Sequence, residues 1–418
     1  MKRSKFLSIL SLLFALLLIA AACAGDDDDG GDGTGDDGED PTAVCDEDEF
    51  GCVEIAEGDP ITIGTLLVIS GENASLGQDS QNGVVIAANM RDNEVAGHPI
   101  EFDHQDDLCA AEGGQSGAQA LAANESIVGV IGTSCSSAGE PAAQILSESG
   151  IAIISPSNTA PSLTAPETHQ PFYLRTAHND EIQGAAMADF ASSELQAESA
   201  ATIHDGSPYA EGLANVFAEQ FEAAGGTITA QEAVQVGDRD MRPVLTSIAA
   251  DAPDLLYYPV FVAEGGAITS QAREITELGE ADLAGADGML TSDWIQAAGA
   301  RNAEGVYLSG PDLEFSGGFY EEEFLPAYEE DFGETTSVFH AHAFDATNIL
   351  LDAIETVAIE DGGTTFIPRT ALKDEMFATS GYEGIIGELT CDENGDCNQE
   401  ASISVSVVEN GDFSRIWP

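Results

Sequence analysis

The chain has 418 residues with 12 basic and 75 acidic side chains, a formal charge of 12 − 75 = −63. That balance excludes an ordinary nucleic-acid binder and an anionic membrane surface as partner, because phosphate affinity needs clustered Lys and Arg, and beyond residue 22 only Lys373 and eight arginines remain. A hydrophobic content of 43% still fits two or three globular domains at roughly 150 residues each, with the acidity coating a surface adapted to salt or to solubility.

Lys2, Arg3 and Lys5 precede an uncharged run from Phe6 to Ala22, which stops at Cys23. The run is 17 residues long, short of the ~20 that a membrane span needs, and it ends in Ala20, Ala21 and Ala22, which suit peptidase cleavage. Residues 1–22 are therefore expected to be a secretory signal. The stretch Ile19-Ala-Ala-Ala-Cys23 resembles a bacterial lipobox, which implies a lipid on Cys23 and attachment to the outer face of the cytoplasmic membrane. Ala20 departs from the usual Leu, Val or Ile of that motif, and cleavage without lipidation is the alternative. From Ala24 to Thr42 there are nine acidic residues among Gly and Thr, a composition that cannot bury a core and reads as a self-repelling tether. Loss of the signal would leave a charge of 9 − 75 = −66.

Seven cysteines occur, and setting Cys23 aside leaves six, an even number that in an exported chain favours disulfides. Proximity pairs Cys45 with Cys52 and Cys391 with Cys397, leaving Cys109 for Cys135. Zinc is the competing reading, but no spacing is the C-x-x-C of a zinc knuckle.

From Ile61 onward short apolar runs alternate with amphipathic stretches. The pattern predicts strands at 61–69, 99–104, 127–131 and 151–154, separated by helices at 78–93, 114–124 and 141–149. After Arg175 the rhythm restarts with helices at 181–195, 209–224, 241–250 and 267–278 between strands at 200–204, 227–230, 255–262 and 288–291. A strand at 305–309, helices near 318–328 and 342–359, and a strand-rich end over 389–408 follow. This is the βαβ order of parallel sheets covered on both faces by helices. The expected division is a leader (1–22), a tether with a short disulfide loop (23–59), a first lobe (60–178 plus 312–388) and a second lobe (179–311 plus 389–418).

Ligand sites in such sheets form where strand ends meet helix N-termini, since unpaired backbone N–H groups point there. Two segments have that build. In Ile131-Gly-Thr-Ser-Cys-Ser-Ser-Ala-Gly-Glu-Pro141 a strand enters a small-residue turn, with Ser137-x-x-Glu140 as an expected capping box and Pro141 in the first turn. In Ile154-Ser-Pro-Ser-Asn-Thr-Ala-Pro161 a second strand enters a hydroxyl-rich turn. Together they look like a cradle for a carboxylate, each charge-assisted hydrogen bond contributing about 1.5–3 kcal/mol; each alone is consistent with simple helix capping.

Gln105-Asp-Asp-Leu-Cys109, Cys135-Ser-Ser-Ala-Gly-Glu-Pro-Ala142, Pro156-Ser-Asn-Thr-Ala-Pro161 and Tyr257-Tyr258 ahead of Phe261–Glu264 resemble, in order and over most of the chain, the leucine/isoleucine/valine-binding proteins of ABC importers. The resemblance implies a type I periplasmic-binding-protein fold, two doubly wound α/β lobes joined by three crossovers and closing over one ligand, with a disulfide matching Cys109–Cys135. It implies Ser136 on the ligand α-carboxylate with Thr159 assisting, the Ser157 carbonyl receiving the α-ammonium, and Asp293, in Thr291-Ser-Asp293-Trp294, as the acid paired with that ammonium. Tyr209 and Phe261 would close over the ligand from the second lobe. Leu76 stands where the family often places an aromatic wall, which leaves the side-chain preference open. The implied partners are a branched-chain or similar apolar amino acid and the permease subunits of an importer, served by a monomer; short amides, urea, aromatic acids or a sensory role are the alternatives on the same fold.

Enzymatic features are weak. No G-x-S-x-G elbow occurs, and His340-Ala-His342 reads as a pair of surface helix histidines. Asp392-Glu-Asn-Gly-Asp396 begins like a calcium loop, but Cys397 replaces the glycine of the sixth position, and a disulfide-pinned hairpin explains it better. No catalytic residue, cofactor or metal is expected.

Overall fold

The computed structural model describes residues 42–418; the expected signal, the lipobox Cys23 and nearly all of the acidic tether lie outside the described residues. Two large sheets organise the chain. The first has six strands in the order 94–95, 98–106, 61–67, 127–132, 152–155 and 173–175, parallel except at the 94–95 edge. Its central strand Ile127–Gly132 is buried at every position, as expected when helices cover both faces of a parallel sheet. Helices Ala74–Asn89 and His340–Val357 pack together over it, and Ala111–Ala122 packs beside Ser136–Glu148.

The second sheet has seven strands in the order 412–417, 403–409, 307–311, 282–285, 255–257, 199–204 and 227–233. The 403–409 strand pairs antiparallel with both 412–417 and 307–311, and the remaining neighbours pair in parallel. Asp180–Ser193 and Pro208–Ala223 pack side by side over it. The chain passes between the sheets after Arg175, after Pro311, and again before Ile403. At the first and last passages the backbones touch: Arg175 N–H donates to Gly395 O at 2.9 Å, and Cys397 N–H to Arg175 O at 3.1 Å.

All three expected cysteine pairs are bonded: Cys45–Cys52, Cys109–Cys135 and Cys391–Cys397. The first belongs to more than a loop, because Cys52–Ala56 is a strand pairing antiparallel with Thr364–Pro368. Phe50 meets Phe172 edge-on at 5.2 Å. The region after Asp48 is thus attached to the first lobe. The Cys391–Cys397 bridge closes a turn in which Asp392 accepts from Asn394 N–H and Asp396 N–H, both at 2.9 Å.

Several expected elements are displaced. The helix expected from Pro141 begins at Ser136, so Pro141 lies inside it and Ser137 caps nothing; the Ser137 hydroxyl donates to Cys109 O at 3.1 Å instead. The strand expected at 255–262 ends at Tyr257, and the next helix starts at Val262. The strand expected at 288–291 is absent: Asp282–Gly285 fills the sheet position, followed by a single helical turn, Asp287–Met289. His340 and His342 are buried, correcting their expected surface position. Their helix is enclosed on nearly all sides, and His340 Nδ1 bonds Asp79 Oδ2 at 2.9 Å while Tyr320 OH meets its Nε2 at 2.7 Å.

Candidate functional site

The two hydroxyl-rich turns lie side by side at the strand ends of the first sheet, and a buried carboxylate organises one of them. Asp107 accepts from Cys109 N–H at 2.7 Å and from Ser134 N–H at 2.6 Å, holding the disulfide-bearing turn against the strand ends. Burial outweighs these bonds and pushes its carboxyl up to about 7. Asn158 ties the turns together: its Nδ2 donates to Thr133 O and its Oδ1 accepts from the Thr133 hydroxyl, both at 3.0 Å. Gly139 permits this approach, since a Cβ there would stand 2.4 Å from Asn158 Oδ1.

Ser136 Oγ accepts from Ala160 N–H at 3.2 Å, which leaves its proton to donate into the cleft. The Ser157 hydroxyl is turned inward, donating to Ser134 O at 3.0 Å. Thr159 is buried behind the turn, its carbonyl accepting from Asp180 N–H at 2.9 Å.

Across the cleft, the second lobe contributes Tyr209, Phe261 and Asp287 to the same small cavity as Leu76, Ser136 and Ser157. Tyr209 sits in the first turn of a helix capped by Ser207, whose Oγ accepts from Ala210 N–H at 3.2 Å. Its ring leans on Phe261 with centroids 5.1 Å apart, and its hydroxyl donates to Asp287 Oδ1 at 3.1 Å while accepting from Gly288 N–H at 3.1 Å. Gly288 keeps that geometry open, because a Cβ would stand 3.0 Å from Val260 O and 3.2 Å from the Tyr209 hydroxyl oxygen. Gln183 Nε2 also donates to Asp287 Oδ1, at 2.8 Å. Burial pushes the Asp287 carboxyl up to about 6, with Gln183 and Tyr209 opposing. A charge held against desolvation in this way gains most from a cation arriving beside it.

Asp293 does not join this group. It lies exposed in the first turn of Ser292–Ala298, its N–H donating to the capping Thr291 Oγ1 at 3.3 Å. Asp287 stands in the turn after a second-lobe strand where an ammonium partner was sought, because the strand lies at 282–285. Sequence reasoning also missed Phe339, which closes the cavity ahead of the His340 helix. The only sequence signal was the apolar pair Val338-Phe339 just before a helix start.

Close behind the pocket, His178, Asp180 and Asp287 each offer one atom within 4.8 Å of the others, all three buried. Two charged carboxylates at that separation would repel by roughly 3–4 kcal/mol at an effective dielectric of ~20. Burial and then Asp287 push Asp180 well above the ordinary carboxylate range, and burial pulls His178 down to about 4.

The lobes stand closed. The cavity between them has a volume of only about 10 Å³. A wider groove of about 540 Å³ opens beside it, lined in part by Leu290, Val338, Phe413 and Arg415. The smaller cavity is the candidate site, because the donor turns, a buried acid and three aromatic rings converge on it. Ser75 and Thr291 touch through their hydroxyls at 3.1 Å, and Arg239 Nη2 donates to both carboxylate oxygens of Glu72 at 2.6 and 2.7 Å, both contacts joining the lobes. Entry of anything larger than water requires the lobes to part.

The periplasmic-binding-protein family model matches residues 60–412. The Leu/Ile/Val-binding protein BraC3 of Rhizobium johnstonii is 25% identical over 350 residues, 82% of this chain and 90% of that protein. The crystal structure of a leucine binding protein, LivK of Thermotoga maritima, is 26% identical with a TM-score of 0.76, covering 85% of this chain and 97% of that one. A solute binding protein from R. palustris in complex with benzoate, at 21% identity, TM-score 0.72, and coverage of 86% of this chain and 96% of its own, shares the fold.

Proposed function

Because the chain belongs to the periplasmic binding protein family, we propose that it is the extracytoplasmic solute-binding component of an ABC importer, taking a branched-chain or similar apolar amino acid and delivering it to permease subunits. The observation that carries this reading is the opposition of unlike groups across one cleft: Ser136, with a proton to donate, on the first lobe, and the buried acid Asp287 on the second. A zwitterion satisfies both ends at once, its carboxylate accepting from the Ser136 hydroxyl and neighbouring turn N–H groups, its ammonium meeting Asp287 and the Ser157 carbonyl. Tyr209 holds Asp287 in place, and Leu76, Phe261 and Phe339 surround the side chain. Differential contact with the closed state is what a ligand needs to shift an open–closed equilibrium.

Residues 1–22 act as the export signal and Cys23 as the lipid-bearing N-terminus, with the acidic segment after it as spacer. Leucine/isoleucine/valine-binding relatives support the ligand class. Calorimetric titration with leucine, isoleucine, valine, short amides and aromatic acids tests it: the aliphatic amino acids bind with a stoichiometry of about one, whereas binding of amides or simple acids without amino acids overturns the assignment.

A further inference from the structure

The amino-acid reading uses one acid of the cleft and leaves another, close behind it, without an occupation. Asp180 opens the helix Asp180–Ser193 just past the crossover and is fully buried; neither of its carboxylate oxygens has a partner at ordinary hydrogen-bond geometry among the described residues, although the Thr159 side chain lies close enough to favour its charged form. Its carboxylate reaches to within 4.8 Å of Asp287 and of a ring nitrogen of His178.

The surrounding charges are spoken for. Arg175 is engaged by Asp396 at 2.7 Å. Gln183 turns its Nε2 to Asp287 and Ser309, so its Oε1 receives the His178 Nε2 proton, and the other ring nitrogen has no hydrogen-bond partner among the described residues. His178 is therefore neutral, His342 beside it is pulled down by burial as well, and the hydroxyls of Thr159, Tyr209 and Tyr257 face the pair without supplying charge. Two carboxyl groups this close and shut off from water do not both ionise without a cation between them.

Resting on the amino-acid reading, we propose that Asp180 is the second acid of the ammonium site, that it and Asp287 together hold one proton, on one carboxyl or the other, while the cleft is empty, and that the pair gives up that proton when the ligand's ammonium arrives. The exchange balances: one proton leaves to solvent as one positive charge enters, and both carboxylates are then ionised around the ammonium. The elevation of both carboxyls agrees with the empty state holding a proton, and the two titrate as a pair. The sign follows from linkage. The empty form binds the proton and the filled form does not, so raising pH favours the filled form, by up to tenfold in affinity per pH unit, until the empty pair itself loses the proton.

The experiment is calorimetric titration of the purified full chain with leucine at several pH values between 5.5 and 8, in two buffers of different ionisation enthalpy. The expected result is release of close to one proton per leucine at the acid end, a dissociation constant that falls as pH rises, and neither effect in Asp180→Asn, which binds leucine at least tenfold more weakly. Leucine binding with no proton release and a pH-independent affinity overturns the inference and leaves the amino-acid reading standing. No leucine binding at any pH overturns both. A stoichiometric divalent metal in the purified protein overturns the inference too, since that ion would then be the counter-charge of the pair. The buffer comparison on the unaltered chain decides the question even if Asp180→Asn fails to fold.

Discussion

Two ion pairs sit at opposite sides of the cleft, and the same chemistry does different work in each. Arg175–Asp396 lies at the crossovers with side chains 0% and 9% exposed, its guanidinium also bonded to Thr164 and Ala160 O. Arg239–Glu72 spans the lobes with side chains 57% and 61% exposed. The buried pair is costly to break, because loss of either partner strands a charge away from water. The exposed pair is screened and contributes about 0–1 kcal/mol, but it joins residues from different lobes. Stability is concentrated where the chain passes between the lobes, and closure is left to weak contacts that a ligand can tip.

The largest expected effect is on the crossover side. Arg175→Met should cost about 3–5 kcal/mol of unfolding free energy, read as a lower urea midpoint; a loss under about 1 kcal/mol would mean that the pair does not hold the crossovers. Replacing Cys109 and Cys135 by serine should cost about 2–4 kcal/mol in the same assay and weaken ligand binding as well, since Cys135 immediately precedes Ser136.

A smaller effect comes from pH. Asp107 and Asp345 are raised by burial to about 7 and Asp287 to about 6. Their folded forms retain protons that the unfolded chain has released above pH ~4, so stability falls as pH rises from about 4 to 7. Asp396 and Asp79, with carboxyls held low, act in the opposite sense and only below about pH 4, where their pairing is lost. Buried His178 and His342, whose imidazoles are pulled down, act against this trend below about pH 6.5, but the raised carboxyls outnumber them, so the unliganded protein should melt at a lower temperature at pH 7.5 than at pH 5; an unchanged or higher value would show that the carboxyls do not outweigh the histidines. The smallest effect belongs to the mouth. Glu72→Gln should weaken ligand binding by less than about 1 kcal/mol, and the difference should vanish in molar salt.

The layered fold was legible because apolar runs and amphipathic stretches alternate at helix and strand spacing. Errors arose where neighbours in space override local pattern. Gly288-Met-Leu-Thr291 is more apolar than Asp282-Leu-Ala-Gly285, yet the latter takes the strand position between 255–257 and 307–311. That shift carried the sought acid from Asp287 to Asp293. The two turns that carry Ser136 and Ser157 were legible from their small hydroxyl-bearing residues, and the two serines themselves from the family resemblance. Asp180 was invisible as part of the site, because an acid in the first turn of a helix is ordinary in sequence, and only the fold brings it beside Asp287. The buried histidines have the same cause: nothing local announces that Asp79 and Tyr320 will enclose His340.

The most direct test of the central claim is calorimetric titration of leucine into Asp287→Asn and Asp293→Asn side by side with the unaltered chain. The account predicts that Asp287→Asn loses about 2–5 kcal/mol of binding free energy, the cost of leaving a desolvated ammonium unpaired, and that Asp293→Asn binds as the parent does. Loss of binding in Asp293→Asn with Asp287→Asn unaffected would contradict it.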